Sequence, residues 1–255
     1  ANMGAAITDL NLGYASMQGD LALREAIAQH HRPASAAIDA SNVGVFCGAQ
    51  EALFASFNAL VRPADEVIVI TPCYPSILAL PQQLGATVKT IKLDFDNQWQ
   101  FSIDDLNALL SDKTRLIVLN SPHNPTGAVM SRPLAESIIA LARQRGIYIL
   151  SDEVSVWSDH QQLGIHHPFL AYEKSLAIGV MSKSFGLAGV RIGWAVTHDK
   201  ALLQRLINIK GYTSICPSAV DEQLATTALN NSQAILQRNN QLIANNSHLF
   251  KQFIS

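Results

Sequence analysis

Short β-rich runs alternate with stretches of helical periodicity along the chain, and that alternation leaves few folds open. The runs fall at residues 43–47, 66–70, 87–93, 115–120, 147–151, 176–182 and 191–196. Strands interleaved with helices predict an α/β fold with a mainly parallel, mixed sheet of about seven strands and helices on both faces. Several runs are almost wholly apolar, as strands buried on both faces are. Between them, Leu53, Phe54, Phe57, Leu60 and Val61 recur at helical spacing, as do Leu134, Ile138, Leu141 and Ala142 behind a Ser131 cap and Pro133 in the first turn. These read as packing helices. The stretch from about 219 to 255 reads as one long, polar-leaning helix with sparse apolar positions, leading towards a second domain that the chain lacks.

Composition bounds the function classes. At 255 residues and 48% hydrophobic content, the chain can bury a sizeable core. Its 15% charged content lies well under the roughly 25% of an ordinary soluble domain, so a partner is expected to cover some of the surface. A net charge of −2 gives no basic footprint for nucleic acid. No apolar run reaches the ~18 residues of a membrane span, and residues 1–10 lack the layout of a signal peptide. Cys47, Cys73 and Cys216 have neither disulfide-framework nor metal spacing and read as core thiols in a reducing compartment, with the cytoplasm as the default.

In an open parallel sheet, ligands sit at the carboxyl ends of the strands, so the residues just past each strand matter most. After the first strand come Gly48, Ala49, Gln50 and Glu51, opening a helix whose free N–H groups suit a phosphate. After the second, Thr71 to Pro75 presents Tyr74. After the fourth, Asn124 stands among Pro122, Pro125 and Gly127; after the fifth comes Asp152; after the sixth, Ser182, Lys183 and Arg191 surround a glycine-containing turn. Singly, these read as an ordinary strand-to-helix turn, a turn tyrosine, a turn asparagine, a helix cap and a solvated lysine. Together they supply phosphate donors, a stacking ring, an acid and an amine, the inventory of a pyridoxal 5′-phosphate (PLP) site. His160, His166 and His167 lack an acid or cysteine to complete a metal set, so no metal site is expected.

The segments GAQEAL from Gly48, NSPHNPTG from Asn120, SDEV from Ser151 and SKSFGLAGVRIGW from Ser182 resemble the motifs of fold-type I, class I/II aminotransferases. LGYASMQGDLALREAIA resembles the stretch that precedes them in that family. The resemblance implies an aspartate-aminotransferase-like PLP large domain over residues 1–255 and transamination between an amino acid and a 2-oxo acid. It implies that Lys183 forms the internal aldimine and shuttles the α-proton, its pKa lowered by burial and neighbouring positive charge. Asp152 would pair with the pyridine nitrogen, Asn124 would bond the ring 3′-oxygen, and Tyr74 would stack on the ring. Ala49, Gln50, Ser182 and Arg191 would hold the phosphate, Gly48 would open their turn, and Tyr14 would reach the phosphate of a neighbouring subunit in a homodimer with shared sites.

Two positions depart from the family pattern. Ser155 stands where a tyrosine usually contacts the 3′-oxygen, and Val180 where many members have a phosphate-binding serine. The shared motifs bind the cofactor without choosing the bond that breaks, so a β-lyase, cyclase or racemase, or the effector domain of a transcriptional regulator, stays open. The Asn124–Pro125 peptide is expected to be cis, which would aim the asparagine back over the sheet.

Overall fold

The computed structural model describes residues 8, 10–161, 163 and 168–254. Seven strands form one sheet: β1 (Val43–Phe46), β2 (Glu66–Thr71), β3 (Thr87–Lys92), β4 (Thr114–Asn120), β5 (Tyr148–Asp152), β6 (Ser175–Val180) and β7 (Gly193–Val196). Their order is β1-β7-β6-β5-β4-β2-β3. All neighbouring pairs are parallel except those of β7, which runs antiparallel to both β1 and β6. The sheet is therefore the mixed, mainly parallel one expected. The central strands β5 and β6 are buried along their whole length, while edge strand β3 is largely polar and exposes Thr87, Thr90 and Lys92. Such an edge resists pairing with a foreign strand.

Period-two alternation decides what each strand offers to each side. Leu116, Val118, Leu150, Leu176 and Ile178 face α2 (Ala49–Leu60) and α6 (Lys200–Lys210), packing against Leu53, Phe57, Leu202 and Leu206. Ile117, Leu119 and Ile149 face the opposite side, against Leu106 of α4 (Ile103–Leu109) and Ile138 of α5 (Arg132–Arg145). There too, Val43, Val45 and Trp194 meet α1 (Leu21–His31) and α7 (Ala219–Asn230). Asp152 shares its parity with Leu150, so the alternation delivers its carboxylate to the α2 side.

Both packing helices form as read, with Ser131 Oγ accepting from Leu134 N at the start of α5. Phe54 is the exception: it is partly exposed on α2 and lies off the core-facing stripe. The carboxy-terminal stretch is two helices rather than one. α7 ends at Asn230, and α8 (Ser232–Ile254) begins beyond Asn231, whose backbone leaves helical geometry while its side chain donates back to Thr227 O. Asparagine competes for its own backbone in this way, which favours helix ends over interiors. α8 buries none of its residues, and Leu242, Leu249, Phe250 and Phe253 are exposed. The three cysteines are free and only half-buried, in loops; Cys73 packs against the core as expected, whereas Cys47 and Cys216 are not part of it. Among the described residues, no helix is long and apolar enough to cross a membrane.

Candidate active site

The turn from β1 into α2 needs glycine. Gly48, the residue before α2, has φ +87°, and a Cβ on it would stand 2.6 Å from Arg191 Nη2. Glycine therefore permits both the left-handed turn and the close approach of the guanidinium. The first amides of a helix have no intrahelical acceptor, so Ala49 and Gln50 bring free N–H groups and the positive end of the helix dipole to the same place. Arg191 itself has φ +51° and donates from Nη1 to Ala188 O at 2.9 Å. Gly193 seals the back of the turn, since a Cβ there would lie 2.5 Å from both Ala49 N and Gly48 C.

Two further loops carry polar groups towards this cradle. Tyr74 immediately precedes α3 (Pro75–Gln83), where Pro75 takes the first helical position. The Gln50 amide both donates to and accepts from Ser76 Oγ, at 3.0 and 3.1 Å, joining the starts of α2 and α3. At the end of β4, Asn120 is buried and works in two directions. Its Nδ2 donates to Asp152 O at 2.9 Å, and its Oδ1 accepts from Asn124 N at 2.7 Å. The Asn124–Pro125 peptide is cis as expected; Thr71–Pro72 and Ser121–Pro122 are cis as well.

Asp152, 4% exposed, closes the floor. Burial pushes its carboxyl up to about 6, against the pull of the Val154 N–H at 3.3 Å and the positive charge of Lys183. Glu153 is buried beside it and is pushed up to about 8 for the same reason, with Ser151 Oγ donating at 2.9 Å. Lys183 is exposed. The burial that the resemblance implied for it is thus not supplied by the described residues, because the lysine rides on the turn between β6 and β7.

Ala49, Gln50, Tyr74, Asn124, Asp152, Ser155, Ser182, Lys183 and Arg191 all line one pocket of about 500 Å³. That volume falls in the roughly 300–1,000 Å³ range of small-molecule and cofactor sites. Gly48 borders it through Arg191. Tyr14 does not: it is 90% exposed and lines a separate depression with Asp20, Arg24 and Glu222. Val180 contributes an apolar wall patch. His123 also lines the pocket, with Nδ1 at 2.8 Å from Thr126 Oγ1 and burial lowering its pKa. Asn120, His123 and Gly193 also shape the site, and sequence reasoning did not single them out. A buried amide ending β4 and a glycine opening β7 were the available signals. His166 and His167 lie outside the described residues, and among those described no group of three His, Cys, Asp or Glu could hold a metal ion.

A pocket at the carboxyl edge of this sheet, with an amine, a buried carboxylate and a helix-start anion cradle, defines the class of PLP-dependent enzymes with the aspartate-aminotransferase fold. The buried Asp152, with its one long hydrogen bond, and the cradle that a Gly48 Cβ would fill both fit a phosphorylated, cationic ring. Residues 1–254 match the family model described as aminotransferase class I and II, and the chain belongs to that family.

The chain is 34% identical over 218 residues to capreomycidine synthase of Streptomyces vinaceus, covering 86% of this chain and 55% of that protein. It is 37% identical over 205 residues to an arginine–pyruvate transaminase of Pseudomonas aeruginosa, covering 78% of this chain and 51% of the relative. A PLP-dependent aminotransferase from Streptococcus suis superposes with a TM-score of 0.89 at 29% identity, covering 99% of this chain and 66% of that one. Aspartate aminotransferase of Thermus thermophilus with maleate gives 0.88 at 26% identity, covering 94% and 63%. The chain thus spans about half the length of the curated relatives it matches.

Proposed function

We propose that residues 1–255 form the PLP-binding large domain of an aminotransferase that moves an amino group between an amino acid and a 2-oxo acid. The observation that supports it most is the shared pocket in which Lys183, Asp152 and the Gly48–Gln50 cradle meet. When bound, PLP supplies an aldehyde for amine capture and a ring that delocalises negative charge from the substrate Cα.

Lys183 Nζ would hold the cofactor and, once released, carry the proton to and from the substrate Cα. Asp152 would face the ring nitrogen, and its carboxylate would keep that nitrogen protonated. The Asn124 amide would donate to the ring 3′-oxygen, and Asn120, bonded to both segments, keeps Asn124 and Asp152 in register from behind. Tyr74 would pack on the ring. Ala49 N–H, Gln50 N–H, Ser182 Oγ and the Arg191 guanidinium, which line the same pocket, would hold the phosphate through charge-assisted bonds. Ser155 lines the wall where the family pattern implies a tyrosine, which would leave the 3′-oxygen to Asn124. Tyr14, exposed and away from its own chain's pocket, serves the neighbouring site of a homodimer in the cytoplasm.

The test is transfer of a ¹⁵N-labelled amino group from an amino acid to an added 2-oxo acid by the purified full-length protein. Label on the oxo acid supports transamination; pyruvate with free ammonia replaces it with elimination. The similarity to capreomycidine synthase keeps a second reading, another PLP-dependent reaction on an amino acid. A product formed from one amino acid with no oxo acid consumed would favour it.

A further inference from the structure

We infer that Asn239 is a positioning residue for the lysine turn: its carboxamide on α8 grips the Ser184 carbonyl and thereby fixes how the chain presents Lys183. The inference rests on the reading that Lys183 carries the cofactor.

α8 has a thin apolar seat, with Ile235 and Leu236 packed against the core beneath the sheet. Further along, two successive carboxamides reach the body of the protein. Asn239 Nδ2 donates to Ser184 O at 2.9 Å, and Asn240 Nδ2 donates to Trp157 O at 3.2 Å. Asparagine is a poor helix former because its amide competes for backbone partners, and here both amides are spent on other segments.

Ser184 follows Lys183 and is held from two sides. Its buried Oγ lies 2.9 Å from Ser158 Oγ, in the loop that follows Asp152, while its carbonyl goes to α8. The turn closes on itself through Gly186 N to Lys183 O at 2.9 Å and Leu187 N to Met181 O at 3.0 Å. Gly186 has φ +70°, and Asn239 Nδ2 would lie 3.4 Å from a Cβ there. The helix amide therefore sits directly over the turn. A reacting group displaced by ~1 Å can cost about a hundredfold in rate, so a hold on the adjacent carbonyl has catalytic consequences.

The test compares Asn239→Asp, nearly isosteric but without the donor, with Asn240→Ala on the same helix, in the full-length protein. Hydrogen exchange of the Gly186 and Leu187 amides in the cofactor-free form should rise roughly tenfold in Asn239→Asp, the scale of one lost hydrogen bond, and stay unchanged in Asn240→Ala. With PLP, Asn239→Asp should shift the pH midpoint of the visible cofactor band and lower kcat by about tenfold, with KM within about twofold. Unchanged exchange in Asn239→Asp would overturn the inference. An equal rise in Asn240→Ala would overturn it too, because the effect would then belong to the seating of α8 as a whole. If wild-type protein gains no visible band with PLP, the cofactor reading itself falls, a result distinct from either of these.

Discussion

Asp152→Asn should stabilise the cofactor-free protein at neutral pH while damaging the site. The folded structure raises the Asp152 carboxyl from 3.8 to about 6, chiefly through burial. A group that binds its proton more tightly when folded lowers stability as pH rises from the unfolded value to the folded one. About two units at about 1.4 kcal/mol each makes the cost of ionised Asp152 on the order of 3 kcal/mol at pH 7. Asparagine cannot ionise, yet its Oδ1 still accepts from Val154 N. The variant should therefore resist urea better than wild type at pH 7 by up to about 3 kcal/mol, with the gap closing below about pH 4. Glu153, pushed up to about 8 chiefly by burial and last by the Asp152 charge, stays largely protonated across this window in wild type and contributes mainly through that smaller coupling. Urea titrations of both cofactor-free proteins at about pH 4 and pH 7 make the measurement. A gap that does not change with pH, or a wild type that gains on the variant as pH rises, would refute the reasoning.

Two other outcomes are expected. Gly193→Ala drives a Cβ into the backbone of Gly48 and Ala49, which cannot rotate away, so it should cost about 1–3 kcal/mol in urea denaturation and weaken PLP retention. Gly189→Ala, with nothing within 4 Å, is the control, and equal behaviour of the two would contradict the packing argument. If Tyr14 serves the neighbouring site, Tyr14→Phe should lose roughly tenfold in PLP affinity. At PLP concentrations that leave Tyr14→Phe mostly unloaded, mixing it with Lys183→Ala should then raise activity, because one hybrid site has both groups; a mixture no more active than Tyr14→Phe alone would place Tyr14 elsewhere.

Most of the sheet was legible because buried strands need apolar runs and turns need Gly, Pro and Asn, both visible in the sequence. The site was legible for a related reason: loops at the carboxyl edge carried Tyr74, Asn124, Asp152 and Lys183 in order, and the sheet brings them together. What escaped depended on distance in three dimensions. Asn120 bonds a residue 32 positions away, and Gly193 matters because of backbone 144 positions earlier. Helical periodicity ran through Asn231 without marking the break, since a single side chain bonding back to Thr227 ends α7. The exposure of Lys183 agrees with its single reading as a solvated turn lysine; it was the burial implied by the resemblance that the described residues do not supply.

The central claim is that Lys183 carries the cofactor. Borohydride reduction of the protein after PLP addition, with peptide mass spectrometry of the digest, tests it most directly. A reduced phosphopyridoxyl group should be fixed on the peptide containing Lys183, with no such labelling in Lys183→Ala. Labelling that persists unchanged in Lys183→Ala, or that falls on another lysine in the wild type, would contradict it.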